Sequence, residues 1–147
     1  MFYLFLFQIF SFQEQNCRFS IEACVSSALP VGPEHCFLKF LRCGEYDKSI
    51  GFYQNGGGSI QEEDTHRIKH RRTICREAMV FFDEQIAMKK WAQVVDCYDK
   101  CEGTYSYMNR NCCTVALQAL RDINASKASE QHIRSANHGV GTSNIPG

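Results

Sequence analysis

Apolar positions recur at spacings of four, three and four from Cys17 through Ile21, Cys24 and Ala28, one face of a predicted helix that Pro30 ends. Pro33 suits a first helical position. Cys36, Phe37, Phe40, Leu41 and Cys43 line the next apolar face before Gly44. The connection LPVG is short enough to make these two segments an antiparallel helical hairpin. From Gly44 to Gly58 periodicity fades and the stretch ends in three glycines, which predicts a loop. With no buried strand before the glycines and no Lys-Ser or Lys-Thr after them, they do not form a phosphate cradle. Ser59 and Glu62 match a capping box, with Glu63 and Asp64 at the positive end of the helix dipole, so a long helix is expected to start there. Its stripe runs through Ile68, Cys75, Met79, Phe82 and Ile86, then Trp91, Val94, Val95 and Tyr98 to Cys101, with Gly103 as a stop. A last helix is predicted from Asn111, with Cys113, Ala116, Leu117, Leu120 and Ile123 on one stripe. The polar, glycine-containing residues 126–147 read as a disordered tail. The pattern predicts an all-α fold: a small disulfide-stapled helical bundle with an N-terminal helical hairpin.

A chain of 147 residues, 44% hydrophobic and 22% charged, fits one globular domain, placed here at residues 17–125. Sixteen basic residues balance sixteen acidic ones, so no overall field favours nucleic acid or an anionic membrane. Nine cysteines in so short a chain point to an oxidising compartment. MFYLFLFQIFS is an almost unbroken apolar run followed by QEQN. It falls short of the roughly 20 apolar residues that span a bilayer and reads as a signal peptide over residues 1–11, although no Lys or Arg precedes it. The expectation is a secreted, extracellular protein with no transmembrane segment.

Candidate chemistry is sparse. Cys97 with Cys101, and His66 with His70, are pairs one helical turn apart. Zinc needs four converging ligands, however, and neither pair has zinc-site spacing, so no metal and no cofactor are expected and the cysteines are assigned to disulfides. The basic run over 67–76 (Arg67, Lys69, Arg71, Arg72, Arg76) is a solvated helix face, a site for a sulfated glycan, or a cleavage site; its residues leave the choice open. Asn111-Cys112-Cys113 resembles the cysteine pair of secreted phospholipases A2, but the chain continues TVALQAL where those enzymes carry His-Asp. With no recognisable nucleophile motif elsewhere, no catalytic residue is assigned and no enzyme is expected. Asn124-Ala125-Ser126 is an N-glycosylation sequon.

CVSSALPVG at Cys24 to Gly32, ICREAMVFFDEQ at Ile74 to Gln85, and the interval of fifteen residues between Cys97 and Cys113 are similar to stanniocalcins, secreted homodimeric glycoprotein hormones. The likeness covers roughly residues 24–113. It implies a hormone acting in calcium and phosphate balance by binding an extracellular protein, a receptor or a metalloprotease. It also implies pairing of Cys24 with Cys36 and of Cys43 with Cys113. The hairpin agrees on the first pair but sets Cys17 opposite Cys43, so the partner of Cys43 stays open. Cys75 and Cys97 are also taken as bridge formers, while Cys17, Cys101 and Cys112 have no counterparts in the family. Pro33 stands where the family has a cysteine, and the loop from Gly44 to Thr73 is longer than its counterpart. The odd cysteine suggests a disulfide-linked homodimer. The alternative reading is a secreted disulfide-rich helical module that binds lipid or a host protein.

Overall fold

Five antiparallel strands organise the chain: β1 (Phe19–Ser27), β2 (Glu34–Arg42), β3 (Glu45–Tyr53), β4 (Ser59–Gln61) and β5 (Arg72–Phe81), in the spatial order β4-β3-β2-β1-β5. They belong to a computed structural model that describes residues 17–27, 34–63 and 72–136. Three α-helices follow the sheet, α1 (Glu84–Asp99), α2 (Cys112–Asp122) and α3 (Lys127–Arg134). The fold is therefore α+β, which corrects the all-α expectation.

The physical reason lies in how the central strands are buried. Phe19, Ile21, Ala23 and Val25 of β1 join Cys36, Leu38 and Phe40 of β2 in the core shared with the helices. Cys24 and its cross-strand neighbour Phe37 point to the opposite face and are fully buried as well. A strand buried on both faces reads as a nearly continuous apolar run. Residues three and four apart in such a run mimic a helical stripe. Both arms of the expected helical hairpin are in fact the strands β1 and β2.

The expected long helix is divided. Ser59 opens the short strand β4, Arg72–Phe81 pairs with β1, and the helix begins only after Asp83, whose carboxylate accepts from the Ile86 N–H at 3.0 Å. The helix expected from Asn111 is present as α2. Part of the expected disordered tail, Lys127–Arg134, is instead the helix α3, N-capped by Ser126. It docks against β5 and β1: Ser126 donates to the carbonyls of Ala78 (N–H, 3.0 Å) and Glu77 (hydroxyl, 3.1 Å), and His132 Nε2 donates to that of Ile74 (2.8 Å). The expected signal peptide, the LPVG connection, His66, His70 and the basic residues Arg67, Lys69 and Arg71 lie outside the described residues. Among the described residues no helix is long and apolar enough to cross a membrane.

Three disulfides tie the layers together. Cys17–Cys43 closes the open end of the β1–β2 pair, Cys24–Cys75 joins directly paired residues of β1 and β5, and Cys36–Cys113 links β2 to α2. The expected pairing of Cys24 with Cys36 fails because the two side chains leave opposite faces of the sheet: Cys24 lies across from Phe37, and Cys36 from Val25. Cys43 pairs with Cys17, not Cys113, and Cys97 is a free thiol. Most of the loop expected from Gly44 to Gly58 is instead the strand β3, and only its glycine end is a turn, which is packed. A Cβ on Gly58 (φ 127°) would lie 2.8 Å from the Phe52 ring and 3.0 Å from the Tyr105 nitrogen. This close approach lets Gly103 and Tyr105 donate backbone hydrogen bonds to the carbonyls of Gly58 (2.8 Å) and Gly57 (2.6 Å).

A candidate Cys–His–Glu site

Cys112 is the first residue of α2, and its neighbours hold it there. Asn111, fully buried, caps the helix: its Oδ1 accepts from the backbone N–H groups of Cys113 and Thr114, each at 3.0 Å. The Thr114 hydroxyl accepts in return from the Asn111 N–H at 2.8 Å, and the Asn111 amide donates to the Tyr107 carbonyl at 2.9 Å. Cys112 thus opens a capped helix, at the positive end of its dipole.

His35, near the start of β2, hydrogen-bonds the Cys112 side chain. Its Nε2 lies 2.7 Å from Oε1 of Glu63, so Nε2–H is the donor to the carboxylate and Nδ1 is left for another partner. The imidazole is held between Tyr53, with ring centroids 4.8 Å apart, and Phe37, at 5.9 Å. Burial works against a charge on His35, but hydrogen bonds to Cys112 and Glu63 outweigh it and push its pKa up to about 9. The ring is therefore suited to hold a proton beside a thiolate.

Glu63 follows β4 and folds back over β3. Its side chain is 5% exposed; Oε2 accepts from the Tyr53 hydroxyl at 2.5 Å, and its backbone N–H donates to Ser49 Oγ at 2.9 Å. Tyr46 braces the same turn, its hydroxyl 3.0 Å from Ser49 Oγ and donating to Glu62 at 2.7 Å. The carboxylate fits because residue 51 is glycine: a Cβ there would lie 2.0 Å from Glu63 Oε1 and 3.2 Å from His35 Nε2.

One disulfide fixes the pair. Cys36 follows His35 in sequence and Cys113 follows Cys112, so the Cys36–Cys113 bridge ties the base-bearing strand to the thiol-bearing helix; Cys112 Sγ lies 3.8 Å from Cys113 Sγ. Cys97 and Cys101 lack this setting. Burial and the neighbouring Asp122 push Cys97 up to about 12, and burial raises Cys101 against the opposing charge of Arg110.

Of the residues assigned to bridges from the sequence, Cys24, Cys36, Cys43, Cys75 and Cys113 are bridged, Cys97 is not, and Cys17 is added. Asn124 is exposed, with φ 56°, between α2 and α3. Arg72 and Arg76 of the basic run lie on β5. Glu22, Cys24 and Cys75 present ligand-type atoms within 4.8 Å of one another, but two of those atoms form a disulfide and offer no thiolate to a metal. His35, Glu63 and Cys112 were not assigned from the sequence. The one available signal was Asn-Cys opening an amphipathic helix in a chain that also carries histidines and acids, which says nothing about which of them meet. Compared with family models, curated proteins and solved structures, the chain matches none of them.

Proposed function

We propose that the protein is a cysteine-dependent acyl hydrolase or acyltransferase, with Cys112 as nucleophile, His35 as general base and acid, and Glu63 as the carboxylate that orients His35. The observation that carries this reading is the continuous hydrogen-bonded chain from Cys112 through His35 to the buried Glu63, anchored at a helix N-terminus. A nucleophile, a base within reach and a third group that holds the base form a constellation that recurs on unrelated folds and is recognised by its geometry.

In the proposed reaction the Cys112 proton already rests on His35, and the thiolate adds to the carbonyl carbon of an ester, thioester or amide. The resulting tetrahedral adduct collapses as the protonated His35 gives its proton to the leaving group. Water or another acceptor, activated by the now neutral His35, then releases the acyl group from sulfur. Glu63 keeps the ring in one tautomer throughout, with Tyr53 and Ser49 holding Glu63. Three disulfides support placing this chemistry in an oxidising, extracellular setting. The hormone reading no longer leads, because it was attached to a helical bundle and has no use for a buried Cys–His–Glu chain.

Incubation with p-nitrophenyl acetate followed by peptide mass mapping tests the proposal. The expected result is an acetyl group on Cys112 that disappears in Cys112→Ser and His35→Ala but persists when Cys97 and Cys101 are replaced. Label confined to Cys101, or label on Cys112 indifferent to His35, would refute the assignment.

A further inference from the structure

We propose that the pocket between the end of α2 and the side of α3 binds the oxyanion of a sulfate or phosphate group, with the Arg134 guanidinium as its main ligand. The site is independent of the Cys112 chemistry. Arg121, Asn124, Ala125, Lys127, Glu130 and Arg134 line an open pocket of about 490 Å³, a size that suits a small molecule. Of these, only Ala125 is apolar, and three cationic side chains stand against one carboxylate. The pocket therefore selects for a polar, anionic ligand.

Local structure gathers the cations. Asn124 takes a left-handed conformation (φ 56°) that turns the chain from α2 into α3. Arg121, in the last turn of α2, thereby shares one wall with Lys127 and Arg134 from the first and last turns of α3. The same turn satisfies the carbonyls at the end of α2: that of Arg121 accepts from the Asn124 N–H at 3.1 Å and that of Leu120 from the Ala125 N–H at 2.9 Å. Acceptors that would repel an anion there are already occupied.

Arg134 lacks what such an anion supplies. It is partly buried, and its Nε is fully buried with no hydrogen-bond partner. Glu130, one helical turn earlier, is placed to neutralise it, yet that carboxylate pairs with Lys127 at 3.6 Å. No carboxylate among the described residues pairs with Arg134. A partly buried guanidinium with neither counter-ion nor acceptor is destabilising, and an oxyanion in the pocket provides both. The planar fork of guanidinium donors matches two oxygens of a tetrahedral oxyanion, while Lys127 and Arg121 add charge around it. Because Nε is covered by protein, binding includes a turn of the Arg134 side chain toward the anion.

Isothermal titration calorimetry at fixed ionic strength tests the site, with inorganic sulfate, inorganic phosphate, glucose 6-sulfate and glucose 6-phosphate as probes against a chloride background. Saturable binding of at least one probe is expected, weakened roughly tenfold or more in Arg134→Gln and unchanged in Arg76→Gln, whose cation lies on β5 outside the pocket. Esters that bind more tightly than the free ions identify a sugar-borne group as the source, and equal affinities identify the free ion; both outcomes support the site. No saturable binding of any probe up to roughly 10 mM overturns the proposal, as does binding that Arg134→Gln leaves intact or that Arg76→Gln weakens equally. If Arg134→Gln does not fold, Lys127→Gln decides. The Lys127 side chain is 93% exposed, so the change removes a cation and unpairs Glu130 without disturbing the packing; undiminished affinity in that variant overturns the proposal.

Discussion

Replacing both Cys36 and Cys113 by alanine removes the bridge between β2 and α2 and leaves no stray thiol. Cys24–Cys75 remains, so the shortest covalent route from Cys36 to Cys113 runs back twelve residues to Cys24, across that bridge, and thirty-eight residues on from Cys75, about 50 in all. Opening a loop of that size restores unfolded-state entropy worth about 4 kcal/mol at 25 °C. Both residues are fully buried, so the missing sulfur atoms add a smaller packing loss. A destabilisation of about 4 kcal/mol is a large share of the total stability of a domain this size. Urea unfolding of the double variant beside the wild type measures it. The site is expected to suffer separately, because each bridged cysteine adjoins one member of the Cys112–His35 pair. At urea concentrations where both proteins are folded, acylation by p-nitrophenyl acetate should fall. A stability loss below about 1 kcal/mol would show that the bridge does not restrict the unfolded chain as supposed, and an unchanged acylation rate would show that it does not position the pair.

Two further expectations follow from the site's geometry. Gly51→Ala puts a methyl group 2.0 Å from Glu63 Oε1, so the carboxylate must leave His35; we expect about 1–3 kcal/mol of destabilisation with a steep loss of acylation, and a fully active variant would remove Glu63 from the mechanism. His35 titrates near 6.5 when unfolded and at about 9 when folded, so its stabilising protonation is fully present below pH 6.5 and lost as pH rises through 9. Urea unfolding across that range should show the decline in the wild type and not in His35→Gln; parallel curves would refute it.

The cysteine count and the helix opening at Asn111 were legible in the sequence because each rests on local chemistry: bridge formation in one case, a capping side chain in the other. The sheet was not. In β2, Cys36, Leu38 and Phe40 alternate as a strand should, but Phe37 on the opposite face is equally buried, which erases the alternation and leaves a helix-like stripe. With β1 and β2 read as helices, His35 falls beside the expected start of the second arm, and Glu63 at the dipole of a helix that does not begin there. The triad is a product of strand register. His35 meets Glu63 because β4 returns along β3 and Gly51 leaves room, facts of spatial neighbourhood that no spacing along the chain encodes.

The docking of α3 on β5 bears on how copies of the molecule behave in a crowded solution. Ten residues of β5 form one border of the sheet, and an uncovered border of that length is a template on which another chain can add a strand and start a fibre. Ser126 and His132 engage three of its carbonyls, and at the far border β4 is only three residues long. The short C-terminal helix thus covers part of that border, and a chain trimmed ahead of Ser126 is expected to add copies of itself there more readily.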